Sequence, residues 1–329
     1  MQALLTGGAG FVGQWLARSL LRRGDGVDLA GLGDAFAGPP ILTADERGAT
    51  RWFAADVRDV DALDAAIEAS KPDVVYHLAG VSFPPDADRT PTAAFDINVL
   101  GAVRLLSSVA RRRAAGTLDP VVLIVGSGVQ YGRHDESEMP LDETAEQRPV
   151  STYGASKAAQ ETVALQIFRA TGVRVVCARS FNHSGTGHGA QYLLPSLVAR
   201  VRDIAGGAPP RLALGNDVTR DYVHVDDVVD AYLSLAERGR PGESYNVASG
   251  RGVTARQLAA DVLHRAGVHA DISTDAALVR ATDIPTLIGS PAKLARETGW
   301  APRKTHLDII DDLLRTHGSA SVTAHAAQN

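Results

Sequence analysis

The sequence predicts an α/β protein: a doubly wound parallel sheet with a smaller, discontinuous C-terminal domain. Three observations carry that expectation. Six short runs, Ala3–Thr6, Val27–Leu32, Arg51–Asp56, Val74–Gly80, Val121–Ser127 and Arg174–Phe181, are largely apolar without alternation, as strands covered on both faces are. Helical patterns lie between them, near Phe11–Arg23, Asp59–Ser70, Pro91–Arg113 and Thr152–Thr171. Strand–helix–strand repetition of this kind builds a parallel sheet with helices on both faces. The chain is also 329 residues long, more than one core usually fills, so two lobes are expected.

Beyond about residue 180 the pattern becomes loop-rich, with Gly, His and Pro at Asn182–Gly189 and Gly206–Pro210. A helix near Asp226–Glu237 and a strand near Ser244–Ala248 still resemble the first half. The expected division is therefore 1–181 plus about 223–249 for the first domain, and about 182–222 plus 250–318 for the second. The small, polar stretch 319–329 is expected to be a disordered tail.

Composition narrows the function. Hydrophobic residues make up 45% and charged residues 22%, which is ordinary for a soluble globular protein. A net charge of −5 leaves no electrostatic footprint for nucleic acid. The longest apolar runs, such as Val121–Val125, are strand-sized, which predicts no membrane span. The N-terminus lacks a basic region, apolar stretch and cleavage site, so a cytoplasmic protein is expected. The single cysteine, Cys177, rules out an internal disulfide and sits in an apolar run where a buried strand residue is expected.

The first strand runs into Thr6-Gly7-Gly8-Ala9-Gly10-Phe11-Val12-Gly13 and then a helix. Gly7 permits a tight turn, Gly10 lets backbone approach a pyrophosphate, and Gly13 allows close helix–strand packing. The N–H groups of the helix start, at Phe11 and Val12, face the phosphates. Asp34, about 20 residues on, is placed to hold ribose hydroxyls, although it also suits a turn aspartate. A carboxylate there favours NAD(H) slightly over NADP(H), while Arg47, Arg51 and Arg58 could still receive a 2′-phosphate. Asp56, followed by Val57 after the third strand, suits the adenine end.

Tyr153 and Lys157 lie four apart at the start of a helical segment, on one face. An ammonium beside a phenol favours the phenolate. Tyr and Lys are both scarce, at 7 and 4 residues, so chance pairing at this spacing is rare. Ser127 ends the fifth strand, at the carboxyl edge where ligands of a doubly wound sheet bind. Two hydroxyls on one carbonyl oxygen make a site for hydride transfer: both hydrogen-bond the oxygen as charge develops, and Tyr153 supplies the proton.

The glycine loop, His77-Leu78-Ala79-Gly80, Asn98, Ser127 and Tyr153/Lys157 occur in the order found in the extended short-chain dehydrogenases/reductases (the NAD-dependent epimerase/dehydratase family), which the chain resembles to about residue 317. The resemblance implies a Rossmann sheet with Leu78, Ala79 and Gly80 lining the cofactor. It also implies Tyr153 as acid/base, Lys157 as its partner on the cofactor ribose, and Ser127 orienting the substrate oxygen. Ser82 borders cofactor and substrate, and Asn98 either braces the backbone or is a plain helix residue.

The second half resembles sugar-nucleotide members, so a nucleotide-sugar partner is implied. Asn182 would meet the diphosphate-sugar and Arg220 the diphosphate, unless Arg220 pairs locally with Asp221. The stretch Arg280-Ala-Thr-Asp283, with Gly299-Trp300 after it, resembles GDP-4-keto-6-deoxy-mannose reductases. There Arg280 would grip the diphosphate and Asp283 the ribose, although relatives usually carry Glu at the latter place. The 4,6-dehydratase relatives carry an acidic pair after the Ser/Thr, where this chain has Gly128 and Val129. Simple hydride exchange at a sugar carbonyl is left, with a nucleotide-sugar 4-epimerase as the alternative and a non-catalytic cofactor-binding protein as a remote one.

His183 and His188 lack an accompanying thiol or carboxylate, so no metal site is expected. Apolar faces at Leu100, Val103, Leu106 and Val109, and at Val163, Leu165 and Ile167, suggest a two-fold homodimer, which core burial would also explain.

Overall fold

The computed structural model describes residues 1–33, 41–279 and 283–316. Asp34, Arg280 and the stretch 319–329, each given a role above, lie outside the described residues.

Strands β1 (Gln2–Thr6), β2 (Gly26–Gly31), β3 (Arg51–Ala54), β4 (Val74–His77), β5 (Val121–Val125) and β6 (Arg174–Ser180) form the main sheet. The sheet closes with Ser244–Val247, which pairs in parallel with β6. The order β3-β2-β1-β4-β5-β6-(244–247) reverses between β1 and β4. That reversal opens the crevice where doubly wound sheets bind ligands. The glycine loop follows β1 and Leu78–Gly80 follows β4, so both stand at its mouth.

Two apolar layers cover the sheet. Helices Phe11–Arg22 and Val225–Arg238 pack on one face through Leu16, Leu20, Val228 and Tyr232. Helices Val60–Ser70, Gly101–Ala114 and Thr152–Thr171 pack on the other through Ile67, Leu105, Leu106 and Val109. Cys177 is buried in β6, and burial pushes its thiol well above the usual range.

The run Pro91–Ala114 corrects the expectation that apolar stretches are only strand-sized. It is helical for 24 residues, with a mean hydropathy of 1.4 over its most apolar window, half of which is buried. Its extent matches the helical pattern predicted over Pro91–Arg113, but its apolar character is not part of that expectation. Its Leu106 and Val109 are fully buried in the core, as is most of Ile167, so core packing accounts for these members of the proposed dimer faces. Leu100 and the neighbouring Phe95 remain exposed.

Residues beyond 181 build a second sheet in which β7 (Asn182–Ser184) pairs with β9 (Thr219–His224). Gly252–Thr254 and Thr286–Leu287 also pair with β9. Between β7 and β9, the stretch expected to be loop-rich holds β8 (Arg211–Leu214) and a 13-residue helix, Leu193–Ala205. Pro195 obscured that helix, but it sits in the first turn, where no intrahelical N–H is required. Leu194, Leu197, Val198 and Val201 bury this helix against Leu258, Val262 and Ile310.

Candidate active site

The phosphate turn is built with no room to spare. Gly7 adopts φ +71°, and a Cβ there would lie 2.8 Å from the backbone nitrogen of Ala79. A Cβ on Gly13 would lie 2.6 Å from the Gly7 carbonyl oxygen, and one on Gly10 3.1 Å from it. Gly7 and Gly8 donate to the Ala30 carbonyl at 2.8 and 3.3 Å, which pins the turn to β2. Helix Phe11–Arg22 begins at Gly10 with no side-chain cap and no acidic residue in its first turn. Its first N–H groups and positive dipole end therefore suit a pyrophosphate. A dinucleotide fits this cradle. Gly7→Ala forces a strained turn into Ala79 and is expected to weaken dinucleotide affinity about tenfold or more, read by fluorescence titration.

Just past β3, Asp56 is held by Arg58 at 2.6 Å, which together with backbone bonding keeps its carboxyl below the usual range. Val57 is buried beneath it against Gly101. Arg51 pairs with Asp28 at 2.5 Å. Two of the three arginines considered for a 2′-phosphate thus already serve carboxylates.

Ser127, Tyr153 and Lys157 are brought together. Tyr153 lies in the first turn of helix Thr152–Thr171, which Ser151 caps by accepting from the Gly154 N–H at 3.1 Å. Ser127 follows β5 and caps a short 3₁₀ turn, Gly128–Tyr131. The Ser127 hydroxyl stands near the Tyr153 phenol and favours its ionised form. Burial pushes the Tyr153 phenol up to about 12, a rise that the Ser127 contact partly offsets. Lys157 is one turn on, and its ammonium donates to Val125 O at 2.9 Å and to Gln160 Oε1 at 3.0 Å. Burial lowers the Lys157 pKa to about 8.

Asn98 braces this arrangement from a π-helical turn, Asp96–Leu100, of the kind that often marks a functional site. Its Oδ1 accepts from the Val81 N–H at 2.8 Å, and its amide donates to Ser156 Oγ at 2.9 Å. Ser156 in turn donates to the Tyr153 carbonyl at 2.8 Å. The exit of β4 is thereby tied to the Tyr153 helix. A Cβ on Gly80 would strike Asn98 Oδ1 at 2.7 Å.

Several neighbours carried no sequence signal. Tyr192 places its hydroxyl 3.1 Å from Ser82 Oγ. Its ring stacks on His188 at 4.1 Å, and His188 stacks on Phe11 at 4.5 Å. His188 also bonds Ser184 Oγ through Nδ1, and burial holds it neutral, with a pKa of about 3. His183 bonds the Phe181 carbonyl. Both histidines are thus engaged within an aromatic column across the phosphate turn.

In the second sheet Asn182 stands opposite Tyr222 in the β7–β9 register. Arg220 and Asp221 do not pair. Asp221 instead accepts from Ser249, Gly250 and Gly289, since successive strand residues face opposite ways. Arg220 donates to the Thr219 carbonyl at 2.8 Å and has no ion pair among the described residues. Burial lowers its pKa, with Tyr222 and Asp283 opposing that. Asp283 accepts from Asn216 at 2.8 Å.

A family model described as GDP-mannose 4,6 dehydratase matches residues 4–313. The chain belongs to that family. It is 36% identical over 236 residues to a GDP-6-deoxy-D-mannose reductase of Pseudomonas aeruginosa, covering 71% of this chain and 76% of the relative. It is 30% identical over 332 residues to a UDP-glucose 4-epimerase of Streptomyces lividans, covering 96% of each. The solved structure of RMD from Pseudomonas aeruginosa complexed with NADPH superposes with a TM-score of 0.80 at 31% identity, covering 96% of this chain and 98% of that one. The fold is thus the Rossmann-type sheet of the family.

A Cβ on Gly128 would lie 2.9 Å from the Phe181 ring, so a side chain there requires that ring to shift.

Proposed function

We propose that this protein is a reductase that delivers hydride from NAD(P)H to C4 of GDP-4-keto-6-deoxy-D-mannose, giving a GDP-6-deoxyhexose, GDP-D-rhamnose or GDP-6-deoxy-D-talose. The observation that carries this reading is the Ser127–Tyr153 hydroxyl pair beside Lys157, without acids at 128 and 129. The bound dinucleotide supplies the hydride. Ser127 and Tyr153 hold the keto oxygen between them, and the phenol passes its proton to that oxygen as negative charge builds. A phenol raised to about 12 is fully protonated at neutral pH, which suits donation. Lys157 holds the ribose and keeps a positive charge near the phenol. The NADPH bound by the Pseudomonas RMD and the engaged Arg51 and Arg58 support either dinucleotide.

Arg220 and Asn182 take the diphosphate-sugar, with Arg280 as a second diphosphate grip, Asp283 on the nucleoside ribose and Ser82 beside the sugar. The partly buried Arg220 guanidinium, with no ion pair among the described residues, suits a diphosphate. Residues 1–181 with about 225–249 form the dinucleotide domain, and about 182–224 with 250–316 the sugar domain, the boundary falling after 224 rather than at about 223 because β9 runs to His224. The protein works in the cytoplasm as a homodimer through the exposed Phe95 and Leu100 face. A light-scattering mass of one chain at micromolar concentration contradicts the dimer.

The pH dependence follows from Lys157. Below about 8 its ammonium is charged, and reduction runs at its plateau. As pH rises through that value the charge is lost and kcat/KM for reduction falls, while Tyr153 keeps its proton. A kcat/KM profile with this single descending limb, absent in Lys157→Met, checks the assignment. The 4-epimerase reading, supported by the Streptomyces relative, requires no net loss of reduced nicotinamide. Incubation with the keto sugar and NADH or NADPH decides between them.

A further inference from the structure

Behind the hydroxyl pair lies a buried polar chain that the reaction scheme does not use. Gln130 is fully buried. Its amide oxygen accepts from the Ser127 N–H at 3.0 Å, and its amide nitrogen donates to Glu161 Oε2 at 2.8 Å. A carboxylate only accepts and a backbone N–H only donates, so the amide has one orientation. Glu161 lies one turn past Lys157 and two past Tyr153, on the same helix face. Arg179 of β6 fixes it at 2.6 and 3.0 Å, and Gln147 donates to it at 3.0 Å. Arg179 is held in turn by Tyr131 Oη at 2.7 Å, which bonds Asn246. A Cβ on Gly126 would lie 2.8 Å from the Gln130 amide oxygen, so the strand exit is kept bare for it.

We propose that Gln130 is a positioning residue for the reduction. It ties the Ser127 backbone to the helix that carries Tyr153 and Lys157, so the two hydroxyls keep their spacing when sugar enters. This rests on the hydride-transfer reading of Ser127 and Tyr153. An apolar side chain would fill the same space without needing two partners. A buried amide is tolerated only when both ends are bonded, and here one of those bonds is to the backbone of Ser127 itself.

The test is Gln130→Met, which keeps length and approximate volume but removes both bonds. Expected is a loss in kcat of about 10- to 100-fold with KM for sugar and dinucleotide changed less than about twofold. Leu258→Ala, in the other core, is the control for lost stability and keeps kcat. A Gln130→Met enzyme that keeps kcat within about twofold, with only its unfolding midpoint lowered, overturns the proposal. A second readout needs no sugar: the 13Cζ resonance of Tyr153 in the dinucleotide-loaded protein. It shifts in Gln130→Met and stays in Leu258→Ala. An unmoved resonance overturns the positioning role. A wild-type enzyme that leaves the keto sugar untouched rejects the functional reading instead, and the resonance still decides the role of Gln130.

Discussion

Tyr153→Phe is expected to lower kcat for keto-sugar reduction by about 10²- to 10⁴-fold, the range that a lost general acid usually covers. Dinucleotide affinity should hold, because the phosphate turn and Lys157 are untouched. The phenol is buried, carries its proton at neutral pH and lies beside the Ser127 hydroxyl. Phenylalanine keeps the ring and its packing against Ala87 and Ala94 but has no proton to give. Ser127 retains the Val129 N–H as a partner, so the fold loses little. Stopped-flow turnover together with a dinucleotide titration separates the two effects. Tight dinucleotide binding with unreduced kcat would remove Tyr153 from the chemistry.

Glu161→Ala is expected to destabilise the fold by about 3–5 kcal/mol, because it leaves the buried Arg179 guanidinium without its counter-charge. Both partners are almost fully buried: Arg179 is 6% and Glu161 3% exposed. Burial works against the Arg179 charge, but the hydrogen bonds and charge of Glu161 outweigh it and raise its pKa. Burial likewise opposes ionisation of Glu161, and Arg179 overcomes that, holding the carboxyl below its usual range. The sign of the pH effect follows. A carboxyl depressed in the folded state stabilises above the ordinary carboxylate range, and that stability is lost as pH falls through the folded value. Denaturant unfolding at neutral and at acid pH should therefore show a larger gap between wild type and Glu161→Ala at neutral pH. Equal midpoints at neutral pH would contradict the assignment.

Which parts of this molecule can be read from its residues follows from how each signal arises. Strands β1, β2, β4, β5 and β6 are legible because a parallel strand covered on both faces is largely apolar, whereas β3 is a four-residue edge strand exposed at Arg51 and Ala54. The Gly7–Gly13 turn and the Tyr153/Lys157 spacing are legible because each satisfies a local geometric demand. The π-helical turn at Asp96–Leu100 is not, since one added residue barely disturbs the apolar period of a helix. Tyr192 and His188 are silent for a different reason. They reach Ser82 and Phe11 across more than 100 residues of chain, and nothing local marks them. Arg220 and Asp221 invite a local pairing that strand alternation forbids. Gln130 reads as one more residue between Ser127 and Tyr131, and only the approach of Glu161 in space gives its amide a purpose.

One assay tests the proposed reduction most directly. Purified protein is mixed with GDP-4-keto-6-deoxy-D-mannose and either NADH or NADPH, and the nicotinamide absorbance and the sugar product are followed together. The predicted result is one reduced cofactor consumed per GDP-6-deoxyhexose formed, with the signal lost in Tyr153→Phe. Unchanged absorbance with both cofactors, or turnover that survives Tyr153→Phe, would contradict it.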